Sequence, residues 1–231
     1  MKLIIACILV VLIAGPVAGQ EYLPLETGNF WSYIADGGGK EMRVVVDQVP
    51  IFQGTPYEIE YTISDDNQGL INYWTSGPDG DVLLWGFLRD GWGRLYQPPI
   101  SMVDAPLAVG DSWTTTVDIY TLPDTIFMET VDFTLLVQEA PELTVPAGVF
   151  PTFGIGFLDP FATTQSTGRY TPWGEFMADK DIGMLSWYSL DVGIVQDDLG
   201  RRYKLETYTD HPVATVVSTW GAVKALYRGV D

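Results

Sequence analysis

The stretch Pro24-Leu25-Glu26-Thr27-Gly28-Asn29-Phe30-Trp31-Ser32-Tyr33 carries the main information about the fold. A shortened copy, Pro106-Leu107-Ala108-Val109-Gly110-Asp111-Ser112-Trp113, begins 82 residues later. A glycine followed by Asn or Asp is typical of a turn, and the aromatic residues behind it are typical of a β-strand. We therefore expect each copy to begin one half of an all-β domain, with its tryptophan anchoring the first strand in the core.

Alternation of apolar and polar residues continues this β pattern along the chain. Tyr57–Ile63 alternates without a break, and Trp113–Ile119 and Val131–Val137 alternate in the same way. A period of two indicates half-buried strands. Glycines separate Phe153, Ile155 and Phe157, and they allow close approach of another segment or strong curvature of a sheet. The predicted fold is all-β, a strongly curved antiparallel sheet that forms a half-barrel or a flattened barrel, with a β-sandwich as the alternative.

The first residues have the pattern of an export signal. Met1-Lys2 is followed by an apolar run, Leu3–Ala14, and by the small residues Val17-Ala18-Gly19. This pattern predicts a signal peptide over residues 1–19, cut before Gln20, and the run is too short to span a membrane. The expected location is secreted, periplasmic or on the cell surface of a bacterium, with no membrane span after cleavage.

The mature chain is expected to contain one domain and a tail. The all-β domain is predicted over residues 20–210, with halves 20–103 and 104–210. Residues 211–231 differ in texture: His211-Pro212-Val213 is typical of a linker, and Ser218–Arg228 of one short helix with Trp220, Val223 and Tyr227 on one face.

Charge and residue usage exclude several classes of function. The formal net charge is −18, with 12 Lys and Arg against 30 Asp and Glu, so binding to nucleic acid is not expected. The only cysteine, Cys7, lies in the predicted signal, and His211 is the only histidine. The chain has no Gly-x-Ser-x-Gly motif and no Walker-type loop. We therefore predict no catalytic residue, no metal site and no cofactor, although a pair of carboxylates for glycoside hydrolysis remains open.

Aromatic side chains outside the alternating strands are the candidate binding residues. They lie in two stretches without clear periodicity, 89–99 and 161–183, and are Trp92, Tyr96, Tyr170 and Trp173. Aromatic residues on a surface suit sugar rings, acyl chains or protein partners, and burial under a loop is the alternative. The predicted function is an exported, non-catalytic binding or structural protein that holds an apolar ligand or a partner in its curved sheet. The alternative is a carbohydrate-binding module or glycoside hydrolase that uses loop aromatics and carboxylates.

Three motifs in order resemble a loose family of bacterial secreted and lipoprotein-like proteins of unknown function. They are Pro24–Tyr33, Val145-Pro146-Ala147-Gly148-Val149-Phe150 and Val192-Gly193-Ile194-Val195. The resemblance covers most of the mature chain. It implies an exported β-rich protein, similar in shape to the half-barrel lipoprotein carriers, without catalytic residues. Many members of that family carry a lipobox, and this chain has none.

Overall fold

Antiparallel strands make up most of the described chain. The computed structural model describes residues 21–51, 54–63, 66–77, 79–158, 185–198 and 202–209. The strands are β1 (Phe30–Ala35), β2 (Lys40–Gln48), β3 (Tyr57–Ile63), β4 (Asp66–Ser76), β5 (Val82–Arg89), β6 (Trp92–Val103), β7 (Ser112–Leu122), β8 (Phe127–Glu139), β9 (Glu142–Val145), β10 (Gly148–Pro151), β11 (Phe153–Phe157), β12 (Leu185–Ser189), β13 (Gly193–Asp198) and β14 (Arg202–Tyr208). No helix in these ranges is long and apolar enough to cross a membrane.

Twelve of these strands form a closed barrel, in the order β1-β14-β13-β12-β11-β8-β7-β6-β5-β4-β3-β2. The all-β prediction is confirmed, and of the predicted shapes only the barrel is correct. The open half-barrel and the sandwich are wrong, because β1 pairs with β14 and leaves the sheet without an edge. The predicted helix in Ser218–Arg228 lies outside the described residues.

Irregular pairing supplies the curvature that closure requires. The register shifts in eight of the twelve barrel ladders, for example between Ser32 and Tyr33 in β1 and between Tyr73 and Trp74 in β4. An extra residue in one strand bends it and increases its twist, so repeated shifts curl a long sheet onto itself. The cis peptide Gln97–Pro98 lies within β6, a strand that the sequence pattern had presented as irregular.

The two copies of the opening motif form the same turn. Gly28 donates its backbone N–H to Val45 O (2.8 Å), and Gly110 donates to Val137 O (2.9 Å). The return bonds also match, since Val45 N donates to Asn29 O and Val137 N to Asp111 O, both at 2.9 Å. Each turn therefore attaches the start of a strand, β1 or β7, to the strand that follows it.

One end of the barrel is covered by the chain itself, and we call it the plug end. Glu21 O accepts a hydrogen bond from Asp191 N, between β12 and β13 (2.7 Å), while Leu23 O accepts one from Ser76 Oγ at the end of β4 (2.5 Å). These strands lie five positions apart around the ring, so residues 21–25 cross the opening. The hairpin β9–β10 packs at the same end, where Ala147 N donates to Leu205 O (3.1 Å). The opposite end, with the β5–β6 and β7–β8 turns, is called the rim end.

Large side chains fill the space inside the barrel. An eight-stranded barrel is just filled by its inward-facing side chains, and the diameter grows with strand number. Twelve strands therefore require bulky residues to reach the dense packing of a protein core. The largest fully buried side chains include Trp31, Tyr33, Trp74, Tyr96, Phe133 and Tyr188.

The shared turn generates a first prediction. Gly28 and Gly110 have φ values of +94° and +95°, and a Cβ at either position would meet no atom within 4 Å. Replacing either glycine by alanine should therefore cost only backbone strain, about 1–2 kcal/mol of unfolding free energy. Chemical denaturation measures this cost. Gly69→Ala is the matched control, because its Cβ also meets nothing and no positive φ is involved, and equal losses at all three sites would contradict the assignment.

Candidate functional site

A buried arginine with two carboxylates is the main polar feature of the barrel interior. Arg43 lies on β2, where inward-facing positions alternate as Glu41, Arg43 and Val45, all at most 3% exposed. Arg43 Nε donates to Glu41 Oε1 at 2.6 Å, and Nη2 donates to Asp197 Oδ2 on β13 at 2.8 Å. Asp197 Oδ1 accepts a further hydrogen bond from Ser186 Oγ at 2.7 Å. We call Glu41, Arg43 and Asp197 the ion cluster.

The ion cluster spans the closure of the barrel. Between β2 and β13 lie β1 and β14, the first and last strands, so three strand spacings separate Arg43 from Asp197. That is about 14 Å along the sheet. Side chains stand roughly perpendicular to a sheet, and a flat sheet would hold these two groups apart. The inward curvature of the closed barrel brings them into contact, so the ion pair and the closure depend on each other.

Two tyrosine rings enclose the guanidinium. Its carbon lies 4.3 Å from the ring centroid of Tyr33 and 4.9 Å from that of Tyr61. Aromatic faces stabilise a desolvated cation, and the planar guanidinium is suited to stacking. The Tyr33 hydroxyl donates to Ile194 O at 2.8 Å, which ties β1 to β13 as well.

Burial shifts the ionisation of the groups in this region. Burial raises the pKa of Glu41, Arg43 lowers it by charge and hydrogen bond, and the Asp197 charge raises it, with a net upward shift. Burial alone would lower the pKa of Arg43, but the Glu41 carboxylate and its neighbours leave it raised. Burial also raises the pKa of Tyr61 to about 12 and raises the pKa values of Tyr33 and Tyr188.

A buried asparagine lies beside the ion cluster. Asn72 on β4 is 0% exposed, and its amide is close enough to Tyr61 to lower the pKa of that hydroxyl. Neither amide atom nevertheless meets hydrogen-bond geometry with any described group. A buried polar group without a hydrogen bond lowers stability, so Asn72 is a costly residue at this position.

The rim end carries exposed apolar side chains. Trp92 begins β6, and Ile126, Phe127 and Met128 form the tip of the β7–β8 hairpin, with exposed fractions of 46%, 61%, 53% and 39%. Gly93 pairs with Leu122, and Thr121 N bonds Ile126 O, so Trp92 and the hairpin tip lie at the same end of the barrel. Trp92 follows the inward side of β6, and Phe127 follows the outer side of β8. Two strand spacings, about 10 Å, separate their backbones. We call these four residues the tip patch.

An apolar row on the outer face of the barrel leads to the tip patch. Cross-strand pairs connect Tyr73, Gly86, Leu95, Tyr120 and Phe127 in that order, from β4 to β8. Tyr73 and Leu95 are buried, and the Tyr120 and Phe127 rings meet edge to face with centroids 5.8 Å apart. Phe127 is thus the exposed end of a continuous apolar row.

The sequence-predicted binding residues are not brought together. Trp92 is half exposed and rests on Phe87, with ring centroids 5.6 Å apart. Tyr96 is 1% exposed and packs edge to face on Phe133 inside the barrel, so of the two expectations for this residue it is burial that the structure shows, in a strand and not under a loop. The Tyr96 side chain points inward because inward and outward positions alternate along β6. The adjacent prolines obscured this alternation in the sequence. Tyr170 and Trp173 lie outside the described residues.

The buried carboxylates are poorly placed for chemistry on a substrate. Glu41 and Asp197 both bond Arg43, and their side chains are 4% and 3% exposed. In the described part of the chain, no group of three or more His, Cys, Asp or Glu side chains is placed to hold a metal ion. The ion cluster was not predicted from the sequence, because charged residues in an alternating strand are normally assigned to the solvent face.

Removal of the guanidinium is the second prediction. Arg43→Met should leave Glu41 and Asp197 buried without their cation and lower the unfolding free energy by about 3–5 kcal/mol. Urea denaturation measures the loss. Arg202→Met is the control, because its ion pair with Asp198 is solvent-exposed and should contribute no more than about 1 kcal/mol. Similar losses of unfolding free energy in both variants would show that the ion cluster stabilises the barrel no more than an exposed ion pair does.

Asn72 provides the third prediction, in which a substitution raises the unfolding free energy. Asn72→Leu keeps the branched shape and removes the two unbonded polar atoms, so the unfolding free energy should rise by about 1–3 kcal/mol. Asn72→Asp is the contrasting control and should destabilise, because it buries a charge. A clear loss of stability in Asn72→Leu would mean that the amide has a partner in solution.

No family model and no curated protein matches this chain. Among solved structures, it is similar to the crystal structure of a candidate lipoprotein from Parabacteroides distasonis, with 15% sequence identity and a TM-score of 0.39. The match covers 82% of this chain and 99% of that chain. A TM-score this low supports no conclusion about fold or function, so the function has to be argued from the chain's own residues.

Proposed function

We propose that this chain is an exported, non-catalytic interaction module that docks a protein partner at the rim end of its barrel, through the tip patch. The observation that carries the proposal is the contrast between the two candidate surfaces. Trp92 and the hairpin tip are exposed at the rim end, whereas the aromatic side chains deeper inside the barrel are almost completely buried.

The interior supports a structural role more than a carrier role. Residues from opposite sides of the ring, such as Trp74, Leu84, Val137 and Leu205, are 0% exposed. A ligand-sized space against these side chains would leave them accessible. The plug end is crossed by residues 21–25, which further favours a packed core.

The composition of the tip patch favours a protein over a glycan. Centres of protein interfaces are enriched in aromatic residues and methionine, and tryptophan is frequent among the residues that dominate affinity. Ile126, Phe127 and Met128 offer a sugar few hydrogen-bonding groups. Three apolar residues at a hairpin tip instead suit a shallow apolar depression on a partner.

The acidic residues around the tip patch indicate which charges should surround that depression on the partner. Asp90 and Asp124 are exposed in the two turns beside the tip patch, and the chain as a whole carries a net charge of −18. The partner surface is therefore expected to have an apolar centre with a basic border. Complementary charges of this kind mainly accelerate encounter and select the partner.

Site-specific photo-crosslinking in the envelope of the producing cell tests this proposal. A photoreactive residue at Phe127 should give a discrete protein adduct, and Trp92→Ala should reduce its yield several-fold. Val149 is the matched control position, because it is as exposed as Phe127 but lies on β10 at the plug end.

Two outcomes would contradict the proposal. One is an adduct at Val149 but not at Phe127, and the other is an adduct at Phe127 whose yield does not depend on Trp92. A glycan array on the purified chain covers the alternative: binding that Trp92→Ala abolishes would favour a carbohydrate-binding module.

A further inference from the structure

We infer that the ion cluster holds one proton at neutral pH, on Glu41, and that this proton is released as the pH rises, which loosens the closure of the barrel. The inference does not depend on the proposed docking function. It rests on the number and placement of the buried charges.

The first step is charge balance. The hydrogen bonds of the ion cluster join two carboxylates to one cation, and within the described residues no second Lys or Arg is bonded to either carboxylate. With both carboxylates ionised, the cluster would carry a net charge of −1. All three side chains are at most 4% exposed, and an uncompensated charge in such a place is costly.

The second step is the location of the proton. Asp197 accepts from both Arg43 and Ser186, whereas Glu41 accepts only from Arg43 among the described contacts. Hydrogen bonds to the charged form favour that form. Asp197 is therefore the anionic partner of Arg43, and Glu41 is the carboxyl group that keeps the proton.

Among the described residues, no surrounding group supplies a compensating charge. The titratable, charged or hydroxyl-bearing side chains that face the cluster come from six strands and are Tyr33 on β1, Arg43 on β2, Tyr61 on β3, Ser186 and Tyr188 on β12, Asp197 on β13, and Tyr203 paired with Asp197 on β14. The tyrosines are neutral at neutral pH, since burial raises the pKa values of Tyr33, Tyr61 and Tyr188. Arg43 is thus the single positive charge in this set.

The sign of the pH dependence follows. Below about pH 4.5, Glu41 is protonated in both the folded and the unfolded chain and contributes no pH dependence. Above that pH the unfolded chain releases the proton and the folded barrel keeps it, so stability falls as the pH rises. The folding constant should drop about tenfold per pH unit from this group, until Glu41 ionises inside the barrel.

Infrared difference spectroscopy on the full chain provides the direct test. A carboxylic-acid carbonyl band at neutral pH should be present in the parent and missing in Glu41→Gln. Glu142→Gln, at an exposed glutamate on β9, is the control and should retain the band. Absence of such a band in the parent, or its persistence in Glu41→Gln, would overturn the inference.

A stability measurement keeps the test independent of spectroscopy. The ratio of folding constants, parent to Glu41→Gln, should fall about tenfold per pH unit as the pH rises above 4.5. Asp197→Asn should remove this dependence too, because Glu41 then becomes the ionised partner of Arg43. A ratio that does not change with pH would overturn the inference, even if Asp197→Asn failed to fold.

Discussion

The contact between Arg43 and Asp197 is the interaction on which the closed form of this barrel depends most directly. It joins β2 to β13 across the two strands where the chain begins and ends its circuit, and only an inward-curved sheet allows it. The tyrosine rings on the guanidinium and the Tyr33 bond to Ile194 act over the same strands. Backbone pairing of β1 with β14 completes the ring, and these side-chain contacts join the neighbouring strands β2 and β13 from the inside.

The described inner surface of this barrel is lined by buried aromatic side chains. Twelve strands enclose more space than eight, and tryptophan, tyrosine and phenylalanine residues of the described chain are buried in that space. Further apolar side chains lie on the outer face of the barrel, along the row from Tyr73 to Phe127. The described apolar side chains are thus divided between a buried interior and an exposed rim.

Much of the fold could be predicted from local patterns, and the rest depended on distant contacts. The alternation in Tyr57–Ile63 and the turns at Gly28 and Gly110 identify strands and turns because they report on neighbouring residues. Closure could not be read in this way, since it depends on the summed effect of many register shifts. Trp92 was found as a candidate because it is aromatic and outside the alternation, whereas Tyr96 was misplaced because Pro98 and Pro99 hid the strand. The ion cluster was missed because Arg43 and Asp197 are 154 residues apart in sequence.

The path of residues 21–25 across the plug end has a consequence for orientation. Glu21 lies against Asp191, and Thr209 N bonds Phe30 O, so the described chain enters and leaves the barrel at the same end. The hairpin tip lies at the other end. Any segment that continues from residue 21 or from residue 209 therefore starts at the plug end, a full strand length from Trp92 and Phe127. Extensions of the chain at these two points begin on the side of the barrel that the tip patch does not occupy.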